Sequence, residues 1–109
     1  MMIVRMTLNV YPEKHLEVLQ TLLSLMGPLR KEPGCRSCAA FCDLDDGNRF
    51  ILLEEWETPK EMKHHIQSRQ FGVLLGTKTL LSEPPLICIH TVSQTWGMDA
   101  VQALRRKKG

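Results

Sequence analysis

The chain has 109 residues, 43% hydrophobic and 24% charged, with a formal net charge of +2. That length carries one compact domain and leaves no room for a second core of useful size. The composition excludes a disordered chain, and no apolar run approaches the ~20 residues that a membrane helix needs.

Residues 2–10 alternate strictly: Met2, Val4, Met6, Leu8 and Val10 point one way, and Ile3, Arg5, Thr7 and Asn9 the other. Period two predicts a strand with one apolar face and one mostly polar face. The opening stretch also lacks the basic start, long apolar run and small-residue cleavage site of a signal peptide, so the expected location is cytoplasmic, with the cysteines as thiols. Pro12-Glu13 opens a long helix, in which Leu16, Leu19, Leu22, Leu23, Met26 and Leu29 recur at spacings of three and four as a buried stripe. Pro28 removes a backbone donor and is expected to kink or restart that helix, and Glu32-Pro33-Gly34 ends it.

Cys35 to Leu44 reads as a second strand, Asp45 to Asn48 as a turn, and Phe50 to Trp56 as a third strand; Asp46-Gly47 marks the hairpin. Thr58-Pro59-Lys60-Glu61 is a capping box with proline at the first helical position, and its helix runs to about Gln67. A further helical stretch, Phe71 to Leu81, buries Phe71, Leu74, Leu75 and Leu81, and Glu83-Pro84-Pro85 breaks it. Leu86 to Val92 is the fourth strand, with Thr95 as its furthest reach, and a short final helix runs from Asp99 to about Arg106. The expected division is a domain over residues 1–95 and an extension over 96–109. The extension ends in Arg105, Arg106, Lys107 and Lys108; without those four, 10 basic residues face 12 acidic ones. A basic tail on such a body does not indicate a nucleic-acid partner.

The order β-α-β-β-α-β predicts an α+β, ferredoxin-like split βαβ fold: an antiparallel sheet with its helices on one face. Strand three is apolar on both sides, Phe50 and Leu52 on one and Ile51 and Leu53 on the other, so the uncovered sheet face needs a second cover. The simplest cover is another copy of the chain, which predicts a homodimer with sheets face to face.

Met62, His65, Ile66 and Arg69 share one face of the second helix, while His64 falls with Glu61 and Ser68 on the exposed side. A histidine beside a pocket serves as base, hydrogen-bond donor or metal ligand; His65 is equally readable as a core histidine with one hydrogen bond. Neighbouring helix residues point about 100° apart, so His64 and His65 cannot chelate one ion together. Cys35, Cys38 and Cys42 imitate a ligand set, but strand geometry spreads them, with Cys38 and Cys42 on one face and Cys35 on the other. If Cys38 and Cys42 face the helices, they line a cavity floor. Glu54 shares a face with Trp56 and either orients a polar substrate or pairs with a basic residue. Asn9 either serves a substrate or makes a sheet-end hydrogen bond. No Gly-rich phosphate loop or nucleophile elbow is present, and nothing requires flavin, nicotinamide or nucleotide.

Two stretches resemble the antibiotic biosynthesis monooxygenase (ABM) family of the dimeric α+β barrel group, across residues 2–93. They are Lys31-Glu32-Pro33-Gly34-Cys35 and Phe50 to Phe71, with its Glu54-x-Trp56 pair and its His65-x-x-Ser68-x-x-Phe71 element. The resemblance is to the small quinol monooxygenases. It implies a ferredoxin-like subunit, a homodimer, a small hydrophobic pocket between sheet and helices, and oxidation of a quinol or polyphenol by O2 with no cofactor and no metal. A deprotonated hydroquinone is itself the electron donor, so the protein has to bind it, take a proton and stabilise the anion. A phenol titrates near about 10 and histidine near about 6.5, so the pocket must favour the phenolate. On this likeness His65 is the base or hydrogen-bond partner, Trp56 a pocket wall or structural anchor, and Glu54 the matching acidic position; with Met6, Cys38, Phe71 and Asn9, Trp56 and Glu54 make up the candidate substrate-binding residues. The residues that haem-degrading relatives need are replaced by Met6, His65 and Leu75, which argues against haem. Two rival readings use the same residues: an isomerase or decarboxylase of a small enolisable carbonyl compound, and a non-catalytic binding or stress-response dimer.

Overall fold

The computed structural model describes residues 1–106, and the expected basic tail at Lys107 and Lys108 lies outside the described residues. Strand β1 (Met2–Asn9) leads through a single 3-10 turn at Pro12–Lys14 into helix α1 (His15–Arg30). Strands β2 (Cys35–Cys42) and β3 (Arg49–Trp56) form a hairpin, followed by α2 (Pro59–Ile66) and α3 (Arg69–Gly76). Strand β4 (Leu86–Thr91) and helix α4 (Met98–Arg105) follow as the last elements among the described residues. The sheet order is β2-β3-β1-β4 and every neighbouring pair is antiparallel, which is an α+β ferredoxin-like fold.

The period-two reading holds. Val4, Met6 and Leu8 of β1 and Phe50, Leu52 and Trp56 of β3 are buried under the helices. The buried face of α1 is Val18, Leu22, Leu25, Met26 and Leu29, which corrects the expected stripe: Leu16 and Leu23 are 61% and 66% exposed. At 100° per residue these two leucines stand about 100–120° around the helix from Leu22 and flank the core instead of facing it. Pro28 does not end or restart α1. Only two helical residues follow it, so few backbone bonds depend on the missing donor. The last turn then tightens, with Lys31 N donating to Pro28 O at 3.2 Å and Glu32 N to Leu29 O at 3.1 Å.

Two local devices shape the entry to β2. Gly34 has φ +82°, where a side chain is strained, and a Cβ there would overlap the Glu61 side chain. A register shift between Cys35 and Ser37 leaves Arg36 as an extra residue. Cys35 therefore pairs with Trp56 and Cys38 with Glu54, so both cysteines take the inward parity, a correction to the strict alternation expected along β2. The strand also stops at Cys42, and Leu44 is fully exposed in the turn.

Both following helices begin on side-chain caps. Thr58 Oγ1 accepts from Glu61 N at 3.3 Å, and Ser68 Oγ accepts from Phe71 N at 3.2 Å. The second helical stretch starts at Arg69 and gives way to a 3-10 turn at Thr77–Leu80; Phe71, Leu74 and Leu81 are buried, but Leu75 is 40% exposed. The core falls into two clusters. The larger includes Met6, Leu22, Leu29, Cys38, Leu52, Phe71 and Leu74, and the smaller is Met2, Val4, Trp56 and Met62.

On the uncovered sheet face, Ile3, Ile51 and Leu53 are half-buried and Phe41 is exposed. No residue of α4 is buried except partly Ala100. The radius of gyration is 16.5 Å against about 13 Å for a compact chain of this length, in keeping with an arm that leaves the body. Among the described residues no helix is long and apolar enough to cross a membrane.

Candidate functional site

A polar layer separates the two core clusters, and four elements build it. Glu32 stands just past α1, on the turn that Gly34 allows, and Gly34 O accepts from Glu57 N at 2.8 Å, which ties this turn to the end of β3. Glu54 and Trp56 project inward from β3, His65 inward from the second turn of α2, and Phe71 from the first turn of α3. The Thr58 and Ser68 caps fix where α2 and α3 begin and therefore which of their residues face the sheet.

His65 sits at the centre of this layer with its side chain 0% exposed. Its Nδ1 lies 2.8 Å from Glu32 Oε2, and its Nε2 lies 3.0 and 3.1 Å from the two oxygens of Glu54. Trp56 Nε1 donates to Glu54 Oε1 at 3.1 Å. The imidazole stacks on the Trp56 indole, with ring centres 4.3 Å apart, and meets the edge of Phe71 at 5.3 Å. An ionised carboxylate only accepts hydrogen bonds, so two carboxylates on opposite ring nitrogens call for a proton on each nitrogen. Burial, the largest single effect, pushes the imidazole down. The hydrogen bond and charge of Glu54 and then those of Glu32 outweigh it, and His65 is raised from its ordinary 6.5.

Burial likewise pushes the neighbouring Cys38 thiol up to about 12, helped by the charge of Glu54. Cys35 is raised as well, first by burial and then by Glu54 and Glu32. Cys38 Sγ points to Met26 Sδ at 3.9 Å, and its carbonyl accepts from Arg30 Nε at 3.0 Å. These thiols therefore belong to the packed core. Among the described residues no three His, Cys, Asp or Glu side chains are grouped to hold a metal ion.

The structure brings together most of the residues that the sequence singled out. Glu54, Trp56 and His65 are in mutual contact, Phe71 packs against the His65 ring, and Cys38 pairs across strands with Glu54. Met6 is buried in the larger cluster, paired with Leu52. Asn9 does not join them. It lies at the far end of β1, where Arg49 Nε donates to its Oδ1 at 2.9 Å, because odd positions of β1 face away from the helices. Glu32 was missed as a site residue. It is 33 residues from His65, and its sequence signals, the Glu32-Pro33-Gly34 helix stop and the Lys31-to-Cys35 stretch shared with the ABM family, do not link it to the histidine.

An apolar cavity between helix and sheet lies apart from this cluster. A cavity of about 180 Å³ opens between α1 and the β2–β3 hairpin, lined by Leu19, Leu22, Met26, Ala40, Cys42 and Phe50 among others. His65 does not border it, and neither do Met6, Cys38 or Phe71.

The sequence profile described as antibiotic biosynthesis monooxygenase matches residues 1–74. The chain belongs to the ABM family. YcnE of Bacillus subtilis, named as a candidate monooxygenase, is 33% identical over 85 residues, covering 77% of this chain and 90% of YcnE. A candidate antibiotic biosynthesis monooxygenase from Deinococcus radiodurans superposes with a TM-score of 0.82 at 21% identity, over 89% of this ABM chain and 97% of the other. A conserved protein from Methanosarcina mazei gives 0.77 at 27% identity, over 82% and 89%. The likeness at low identity concerns the fold, and the profile match with the YcnE relationship establishes the family.

Proposed function

We propose that this ABM-family chain oxidises a small quinol or polyphenol with O2 and no cofactor, with the Glu32–His65–Glu54 cluster as the group that takes the substrate's proton. The observation that carries this reading is the geometry of the cluster, an imidazole held by one carboxylate at each ring nitrogen. One imidazolium between two carboxylates leaves one net negative charge in a buried place, and a buried excess charge favours uptake of a proton. In the proposed step the substrate O–H bond breaks, its proton passes to the cluster, and the electron pair stays on the phenolate oxygen. The phenolate is then the reductant for O2. Trp56 and Phe71 fix the imidazole plane, so the cluster meets the proton with little reorganisation. The family supplies the monooxygenase class and the small-molecule substrate; the quinol is the finer part of the proposal.

The same reading takes the chain as a homodimer, with the apolar residues Ile3, Ile51, Leu53 and Phe41 of the open sheet face against a second copy, and residues 96–109 as an extension beyond the domain. It takes the location as cytoplasmic.

A second reading, a non-catalytic binding dimer, is favoured by one specific observation: His65 is fully enclosed, and the 180 Å³ cavity lies away from it. Oxygen consumption with a panel of hydroquinones separates the two. Turnover lost in His65→Ala and in Glu54→Gln supports the monooxygenase. Turnover on no member of the panel removes the quinol reading, and unchanged turnover in both variants removes the cluster from the mechanism.

A further inference from the structure

Within the polar layer the three titratable side chains differ in their access to water. His65 is 0% exposed, Glu54 is 1% exposed, and Glu32 is 12% exposed. Glu32 is also the member held on a turn and not on a strand or helix, at the point where α1 gives way to β2. Its Oε2 stands 2.8 Å from Nδ1, the ring nitrogen that faces away from Glu54. The geometry points to Glu32 as the positioning residue of this site and as its proton exit to solvent. This inference rests on the reading of the cluster as a proton acceptor, and it goes beyond that reading in saying which way the proton leaves.

The physical argument has two parts. A carboxylate at Nδ1 keeps that nitrogen protonated and turns Nε2–H toward Glu54, so ring orientation and proton placement are set together. When a further proton arrives on the Glu54 side, the transfer outward breaks the N–H bond at Nδ1 and forms an O–H bond on Glu32. The carboxyl then gives that proton to water, which leaves a neutral imidazole with its proton at Nε2 and returns the cluster to one net negative charge. No oxidant or co-reactant is needed. The other ionisable groups facing the cluster are the Cys35 and Cys38 thiols of β2, both pushed up, and the Arg30 guanidinium at the end of α1. The two thiols carry no charge near neutral pH and do not replace Glu32.

The test separates charge from shape. Glu32→Gln keeps an oxygen that accepts from Nδ1–H but removes the negative charge, whereas Glu32→Ala removes both. Nitrogen-15 NMR of the His65 ring across pH reads the outcome without any substrate. In the unaltered chain both ring nitrogens are expected to carry protons at about pH 6, and Glu32→Gln is expected to lower the His65 midpoint by about one unit or more. The near-ultraviolet signal of Trp56 should persist in Glu32→Gln, since a merely structural loss would change it. Where a quinol is turned over, the same variant is expected to shift the pH profile of kcat with little change in KM. A His65 midpoint that is the same in both chains overturns the inference. So does an unaltered chain whose Nδ1 carries no proton at about pH 6, which keeps the test decisive if Glu32→Gln fails to fold. Failure of the quinol panel alone would remove the substrate and leave the NMR result standing.

Discussion

The His65 imidazole lies on the Trp56 indole, ring centres 4.3 Å apart and planes 25° from parallel, and the two side chains share one carboxylate, that of Glu54. The stack and the shared acceptor couple the end of β3 to the middle of α2. Breaking either contact leaves a buried carboxylate with part of its bonding lost.

His65→Ala is therefore expected to destabilise the fold by about 3–5 kcal/mol, the usual cost of orphaning one member of a buried charged pair. Urea unfolding of His65→Ala, Glu54→Gln and the double variant measures it. The double variant should lie well short of the sum of the singles. Strict additivity would show that the two side chains are not coupled.

The pH dependence has a definite sign. The folded imidazole is raised above its ordinary 6.5, so its contribution to stability is fully present below about 6.5 and is lost as pH rises through the folded value. The stability advantage of the unaltered chain over His65→Gln should be larger at about pH 6 than at about pH 9. An advantage that grows toward alkaline pH would contradict the doubly held imidazolium.

The four thiols should divide by exposure. Cys42 and Cys88 are exposed, while Cys38 is buried and pushed up to about 12, out of the range where a reactive thiolate forms. Iodoacetamide at about pH 8, followed by peptide mass spectrometry, is expected to label Cys42 quickly and Cys38 only after unfolding. Rapid labelling of Cys38 in the folded chain would mean that the Met26–Cys38 contact opens readily.

Gly34→Ala combines a strained left-handed backbone with a clash against Glu61, and should cost more than the ~1 kcal/mol typical of a glycine change. Adding Glu61→Ala should recover only the part due to the clash. Thermal melts of the two variants test this, and full recovery would mean that the backbone strain is negligible.

Leu53→Asp places a charge at the centre of the open sheet face without touching the helix side. If a second copy covers this face, sedimentation should show a dimer for the unaltered chain and a monomer for the variant, both folded. A monomer in both cases would remove the face-to-face pairing.

Much of this fold was legible because its signals are local. The alternation of β1, the Thr58–Glu61 box and the Asp46-Gly47 turn each act within a few residues, and the parity of β3 placed Glu54 and Trp56 on the inner side. Helical spacing likewise separated His65 from His64. What stayed hidden depends on distant or irregular geometry. Glu32 meets His65 only because the Gly34 turn delivers it, and no spacing rule links positions 33 residues apart. The extra residue Arg36 moved Cys35 to the inner parity, and a bulge leaves little trace in composition. Leu16 and Leu23 have the right periodicity for a core, yet they flank it, because α1 buries a narrower strip than its leucines suggest.

The polar layer between the two apolar clusters also limits how α2 can sit on the sheet. An apolar helix face on an apolar strand slides at small cost, since one aliphatic contact resembles the next. Here a slip of one turn would set Met62 against Glu54 and leave Glu32 without its imidazole. Either misfit strands a buried carboxylate, so among the many near-equal dockings only one satisfies every charge. The Glu32–His65–Glu54 line thus acts as an index mark for assembly, whatever chemistry it supports afterwards. Replacing all three with apolar residues should give a chain that still collapses but shows broadened amide resonances across α2.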